Sequence, residues 1–267
     1  MRERPSPVKA AAQDAGIKVL QPRSVADPSF QGVLGALRPE VCIVVAYGKI
    51  LPRTLLEVPA LGFVNVHFSL LPAYRGAAPV QRALMDGATE TGVSIMLLTE
   101  GMDEGPVIAI RKVTVSITDT SASLGDRLAA EGGDLLVPVL LDYASGAVVP
   151  RPQEEAAATY APKIGEEETR IDWHQPPHVI HNLVRALEPA PGAWTTLRGK
   201  RIKIRATAPA EGGQVLAPGE LLAGDALLVG TGGHPLAISM AQLEGKRATP
   251  GADLARGLRL EPGESLG

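Results

Sequence analysis

Between Gly62 and Asp86 the chain changes character twice, and this stretch restricts the possible fold more than any other. Gly62 to Val66 is an apolar run that reads as a buried strand. The chain then breaks into a loop, so that Asn65, His67, Ser69 and Arg75 bring an amide, an imidazole, a hydroxyl and a guanidinium within a few residues. Ala78-Pro79 opens a helical pattern from Val80 to Asp86. A strand-to-helix turn loaded with polar side chains is what a ligand crevice in an open α/β sheet requires, whereas a bare turn needs none of them.

The rest of the chain alternates in the way such a sheet demands. Ser6 caps a short helix, Pro7 takes its first position and Gly16 closes it. Ile17 to Leu20 is predicted as a short strand, Asp27 to Leu37 as helix, Val41 to Ala46 as a buried strand and Leu51 to Val58 as a brief helix. The strand at Gly62 to His67 is followed by strands at Thr91 to Leu98 and Val107 to Val115, antiparallel to each other because the loop between them is short. Thr120 caps a long helix reaching about Tyr143, weakened by Gly132-Gly133 and kinked or split at Pro138. The fold class is α/β, with a mostly parallel sheet and helices on both faces.

Near residue 148 the composition shifts. Val149 to Glu168 is rich in Pro, Ala and Glu and has no periodicity, which suits an interdomain linker. Beyond it come a helix at Val179 to Leu187 and short apolar runs at Trp194–Arg198, Arg201–Thr207, Gly213–Leu216, Ala226–Val229 and Leu236–Leu243. One helix among short strands and glycine turns predicts a small β-barrel. Leu258 to Gly267 reads as a frayed tail. The expected division is a first domain at 1–148, a linker at 149–168 and a second domain at 169–267.

Composition bounds the function. The formal charge of −3 gives no bulk attraction to nucleic acid, so any RNA would be held by a local basic patch. Cys42 is the single cysteine and lies in an apolar run, where a buried structural thiol is expected and a disulfide framework is impossible. The sequence has no apolar stretch of spanning length and no signal-peptide core, so no membrane partner is expected and the cytoplasm is the expected compartment.

Asn65 and His67 lie two apart on a strand, so their side chains project on the same side. In isolation the pair also suits a backbone-satisfied histidine beside a turn-forming asparagine. Asp103, in Glu100-Gly101-Met102-Asp103-Glu104-Gly105, is a turn former by type, but its strand delivers it to the sheet end where His67 stands. An aspartate there would orient the imidazole. Arg201, Lys203 and Arg205 share one face of a strand, with Lys246-Arg247 a second basic pair. Such a face serves either as a solvated edge or as a phosphate contact. His178 and His181 have helical metal-ligand spacing but no third ligand, and Gly230-Thr231-Gly232-Gly233 lacks a phosphate loop's context and reads as a turn.

With these residues in view, the chain resembles the N10-formyltetrahydrofolate-dependent formyltransferases. The resemblance is carried by Asn65-Val66-His67-Phe68-Ser69-Leu70-Leu71-Pro72, Val44-Val45-Ala46-Tyr47-Gly48-Lys49, Arg75-Gly76-Ala77-Ala78-Pro79-Val80-Gln81-Arg82 and Glu90-Thr91-Gly92-Val93-Ser94. Tyr160-Ala161-Pro162-Lys163, Arg170-Ile171-Asp172-Trp173 and Arg185-Ala186-Leu187-Glu188-Pro189 are similar to the appended domain of the branch that acts on tRNA. The resemblance implies a Rossmann-like catalytic domain followed by an OB-like barrel. It implies formyl transfer from N10-formyltetrahydrofolate, as cosubstrate, to the amino group of methionyl initiator tRNA for translation initiation, by a monomer without a metal. It maps catalytic roles onto Asn65, His67 and Asp103 and folate contact onto Ser69, Leu70, Leu71 and Pro72, while the basic residues Arg201, Lys203, Arg205 and Lys246 named above are the candidate tRNA contacts. Two other readings stay open: an inactive homologue that only binds RNA, and a formyltransferase acting on a ribotide or amino sugar, which should lack the Trp173-to-Trp194 region.

The chain departs from the family at two places. Glu188 stands where asparagine is usual. The family's first strand–helix–strand unit has no counterpart ahead of Pro5-Ser6-Pro7-Val8-Lys9, where only Arg2 and Arg4 remain as possible remnants of a basic loop. The expectation is therefore an N-terminally incomplete catalytic domain that folds poorly alone and is weakly active.

Overall fold

The computed structural model describes residues 5–210 and 214–267. Arg2, Arg4 and Gly213 lie outside the described residues. Contacts divide the chain into two units, Met1–Cys42 with Lys49–Phe63, and Ile43–Gly48 with Val64–Gly267. Among the described residues no helix is long and apolar enough to cross a membrane.

The first unit holds three short helices. In α1 (Pro7–Asp14) the Ser6 hydroxyl accepts from the Lys9 N–H at 3.3 Å, with proline in the first turn, as the sequence predicts. α2 (Pro28–Ala36) is capped by Asp27, whose carboxylate accepts from the Ser29 N–H at 2.9 Å. α3 (Arg53–Leu56) is a single turn. Among its described residues Val25, Leu51, Leu55 and Phe63 are buried apolar side chains. Residues 17–20 form no strand, contrary to expectation. The Ile17 N–H is spent on the Ala12 carbonyl, and four apolar residues without a ladder partner do not make a strand. Cys42 is half-buried rather than buried, and desolvation pushes its thiol pKa up.

The second unit is built on two sheets. β1 (Cys42–Val44), β2 (Phe63–His67), β3 (Glu90–Leu97) and β4 (Val107–Thr114) form a sheet in that order. β1 is shorter than predicted and exposes Ile43. β2 runs antiparallel to β3, with His67 opposite Ser94 and Asn65 opposite Met96, and β3 runs antiparallel to β4. A mostly parallel sheet is thus corrected to one with two antiparallel pairs. A parallel crossover needs a helix that carries the chain back along the sheet. α4 (Pro79–Met85) has seven residues, about 10 Å by helical rise, and packs against other helices instead.

α5 (Ser121–Ala144) supplies the sheet's cover, with Leu124 and Leu128 fully buried. Thr120 and Ser123 form a reciprocal capping box at its start. The helix runs continuously through Pro138, so it is not split there. The glycine pair is no simple weakness either. A Cβ on Gly132 would stand 2.8 Å from Val66 Cγ1 and 3.4 Å from Val93 Cγ1, so its absence lets the helix lie directly on β2 and β3.

The remaining strands are β5 (Ala193–Leu197), β6 (Lys200–Pro209), β7 (Leu221–Ala223), β8 (Leu227–Val229), β9 (Leu236–Leu243) and β10 (Thr249–Pro250). They form an antiparallel sheet in the order β5-β6-β9-β8-β7, with β10 on β9. α6 (Pro177–Ala186) and α7 (Gly251–Leu258) cover a core that includes Trp173, Ile180, Val184, Ile204, Leu227 and Ile238. Residues 214–216 are not a strand, and Val215 is exposed, whereas β7 and α7 are elements the sequence reading missed. The tail is docked, not frayed. Leu266 bridges Leu197 of β5 and Ser265 bridges Glu220 beside β7, so the last residues tie the two outer edges of the sheet together and close it.

Within this unit α6 binds the two sheets to each other. The buried Arg185 donates to the carbonyls of Ser116 at 3.1 Å and Asp119 at 3.4 Å, and to the Asn182 side chain at 2.9 Å. Burial pulls its pKa down, and the charge of Asp119 opposes that.

Candidate active site

β2 presents Asn65 and His67 on one face, both buried. The chain then turns out of the sheet, and this loop is held by the strand beside it. Ser94 on β3 donates its hydroxyl to the Ser69 carbonyl at 2.7 Å and accepts from the Leu71 N–H at 3.1 Å. Ser69 in turn donates to the Ala73 carbonyl at 2.5 Å. Ser69 and Leu71 are therefore buried supports of the loop, while Leu70 and Pro72 are half-buried.

Asp103 reaches the same place from the β3–β4 loop. Its Oδ1 lies 3.4 Å from the Asn65 amide nitrogen, and its Oδ2 accepts from the Gly76 N–H at 2.9 Å and lies 3.6 Å from His67 Nδ1. The other ring nitrogen of His67 is 2.9 Å from the Tyr74 carbonyl. Both nitrogens thus face oxygen atoms, which orients the ring from two sides. Asp103 holds this position with φ at 51°, in the left-handed region. Gly76 has φ at 118°, and a Cβ there would stand 2.9 Å from the Ala161 carbonyl oxygen, so glycine is needed for the close approach.

The segment expected to be a bare linker closes the site from one side. Val107 pairs with Arg151 through two backbone hydrogen bonds of 2.8 Å, and Arg75 pairs with Thr159 and Ala161 at 2.9 and 2.7 Å. Gln153 Nε2 donates to the carbonyls of Asp103 at 2.8 Å and Gly105 at 2.7 Å. Its Oε1 accepts from Arg75 Nε at 3.0 Å, and Arg75 Nη1 contacts both carboxylate oxygens of Glu155. Gln153 and Glu155 are not singled out by the sequence, because their neighbours carry no periodicity or motif that marks them, and Ser94 lies in a motif that does not reveal its hold on the loop. Tyr74 donates its hydroxyl to Asp86 at 3.0 Å, and burial together with that carboxylate pushes its pKa up to about 12.

The basic face has a different character. Arg201, Lys203 and Arg205 do alternate with buried Ile202 and Ile204 along β6. The Arg201 guanidinium stacks 4.2 Å from the Trp194 ring centroid, with Arg170 at 5.7 Å from the same ring. Arg201 and Lys203 line a groove of about 330 Å³ with Gln242 and Glu244. Arg205 is held by Glu188 at 2.5 Å and Gln242 at 2.9 Å, so its charge is already matched. Lys246 lines a second groove of about 420 Å³ beside α7. His181 hydrogen-bonds Thr207 and the Ile117 carbonyl, and among the described residues no group of three His, Cys, Asp or Glu could hold a metal ion. Thr231 donates to the His234 carbonyl and accepts from Gly233, which makes the glycine-rich run a turn between β8 and β9.

A carboxylate with an amide at 3.4 Å and an imidazole at 3.6 Å can stabilise a developing oxyanion and take up a proton beside it. Comparison with known proteins shows the family. Residues 1–140 match the model of the formyl transferase family and residues 163–259 that of its C-terminal domain. A methionyl-tRNA formyltransferase of Streptomyces coelicolor is 47% identical over 98% of this chain and 85% of its own length. One from Myxococcus xanthus is 45% identical over 96% of this chain and 82% of its own. Among solved structures, HypX of Aquifex aeolicus in complex with tetrahydrofolic acid has a TM-score of 0.67 at 23% identity, covering 86% of this chain and 41% of that one. The N-formyltransferase of Helicobacter canadensis, in complex with folinic acid and dTDP-3-aminofucose, has a TM-score of 0.68 at 17% identity, covering 86% of this chain and 81% of that one. The last two show the shared fold.

Proposed function

The chain belongs to the formyl transferase family, and on that premise we propose that it transfers the formyl group of N10-formyltetrahydrofolate to the amino group of methionyl initiator tRNA, for translation initiation. The observation that carries this reading is the convergence of Asn65, His67 and Asp103 at the end of β2. Curated relatives at 44–47% identity over nearly the whole chain supply the acceptor.

The amine of a methionyl ester needs little activation near neutral pH. The harder step is the build-up of negative charge on the formyl oxygen. Asn65 donates to that oxygen, and His67 does so by giving up its looser 3.6 Å contact with Asp103, since preorganised N–H donors in a desolvated site are worth far more than in water. Asp103 accepts the proton of the attacking amine through a water, and His67 or water returns a proton to the leaving nitrogen. Ser69, Leu70, Leu71 and Pro72 form the wall against which the folate lies. Arg201, Lys203, Arg205 and Lys246 hold the tRNA backbone, with Arg205 tempered by Glu188. In this reading residues 1–148 do the chemistry, 149–168 connect, and 169–267 hold the tRNA. The enzyme works as a monomer in the cytoplasm and uses no metal.

Incubation of the purified chain with formyl-labelled N10-formyltetrahydrofolate and charged initiator tRNA tests the reading. Label on the methionyl-tRNA is expected. Label reaching only a ribotide or an amino sugar, or tRNA retained without any label, would overturn it.

A further inference from the structure

We infer that Gln153 is a positioning residue for the reaction, and that the segment 151–161 is thereby a built part of the active site. The inference rests on the catalytic reading of Asp103 given above. Asp103 sits at a backbone conformation that L-residues rarely adopt, on a loop flanked by glycines. A loop of that kind does not hold one conformation unless its surroundings impose it. One part of those surroundings is a single amide. Both carbonyls that bracket the turn, those of Asp103 and Gly105, accept from Gln153 Nε2 at 2.8 and 2.7 Å.

The amide is itself locked. Its oxygen accepts from Arg75, which is 1% exposed and paired to Glu155. This fixes which way round the Gln153 amide lies: its oxygen faces the guanidinium and its nitrogen faces the two carbonyls. The residue after Arg75 is Gly76, whose N–H donates to Asp103 Oδ2 at 2.9 Å. Gln153 therefore acts on the carboxylate from two directions. It holds the Asp103 backbone directly, and it braces the Arg75-Gly76 segment that grips the side chain. Its own atoms reach neither Asn65 nor His67 through any hydrogen bond described above.

The experiment compares Gln153→Ala, Gln153→Glu, Asp103→Ala and the Asp103→Ala/Gln153→Ala double variant, by steady-state kinetics with N10-formyltetrahydrofolate and methionyl initiator tRNA and by thermal melting. Gln153→Glu keeps the acceptor for Arg75 but turns the two donated hydrogens into an acceptor facing two carbonyls. A displacement of the Asp103 carboxylate on the scale of an ångström costs on the order of a hundredfold. Both Gln153 variants are expected to lose roughly 10- to 100-fold in kcat with the KM values for both substrates unchanged. In the Asp103→Ala background the Gln153→Ala change is expected to add less than about twofold, because a residue that acts through another has nothing left to position. A role confined to stability would lower the melting temperature and multiply with the Asp103 loss, which would overturn the inference. So would wild-type turnover in Gln153→Glu alongside a crippled Asp103→Ala, and that result would leave the catalytic reading intact. Wild-type turnover in Asp103→Ala would overturn the catalytic reading and this inference together.

Discussion

His67 illustrates how much a single residue's surroundings decide. One ring nitrogen faces a backbone carbonyl and the other a carboxylate, so the ring is oriented from both ends. Asn65 shares the carboxylate through a long contact of 3.4 Å, which leaves its amide ready to exchange partners. If these two groups donate to the formyl oxygen, removing either forfeits one oxyanion interaction. Asn65→Ala and His67→Ala are each expected to lower kcat by about a hundredfold to a thousandfold, with little change in tRNA affinity measured by filter binding. Wild-type turnover in either variant would remove that residue from the reaction. The sequence allowed a histidine merely satisfied by backbone, and one nitrogen does make such a contact. Only the arrival of Asp103 from a loop far along the chain separates the two readings.

At the scale of elements, α5 shows a conflict between propensity and packing. Alanine is the better helix former than glycine by roughly 1 kcal/mol at an exposed interior position. Gly133 has nothing within 4 Å of its missing Cβ, so Gly133→Ala is expected to stabilise the chain by up to about 1 kcal/mol. Gly132 faces Val66 at 2.8 Å, a distance a methyl group cannot occupy unless the helix or that side chain shifts. Gly132→Ala is expected to destabilise by about 1–3 kcal/mol. Chemical denaturation of the two variants side by side checks the pair, and equal effects would contradict this packing. The same lesson holds for the tail. Its residues carry no strand pattern of their own, yet Leu266 N–H donates to the Gly219 carbonyl at 2.8 Å and the Leu266 side chain is buried.

Across the whole second unit, buried charge links the elements. Asp119 is buried, and burial pushes its carboxyl pKa up. The Arg127 guanidinium, the Ser116 N–H and the Ser123 hydroxyl outweigh that and hold it below the usual value. Glu168 is also lowered, chiefly by its hydrogen bonds from Arg82. A depressed carboxylate contributes stability that is fully present above its unfolded pKa of about 4 and is lost as pH falls through the lower folded value. The melting temperature is therefore expected to fall steeply below about pH 4, and less steeply in Asp119→Asn, as read by thermal melts across pH 2–7. A parallel pH profile in the variant would remove Asp119 from the acid response.

The amino-acid order by itself determined the local pieces. The caps at Ser6 and Thr120, the alternation along β6, the strand-to-helix turn after His67 and the same-side projection of Asn65 and His67 follow from spacing and side-chain chemistry, which act over a few residues. The motifs also identified Asp103, although nothing local distinguishes it from an ordinary turn residue. Tertiary structure alone decided the sense in which β2 and β3 pair, the lack of a strand at 17–20, the closure of the sheet by its last residues and the union of Gln153, Arg75 and Glu155 behind the site. These depend on hydrogen-bonding partners distant in the chain, and a backbone group's choice among distant partners leaves no periodic trace in the residues that surround it.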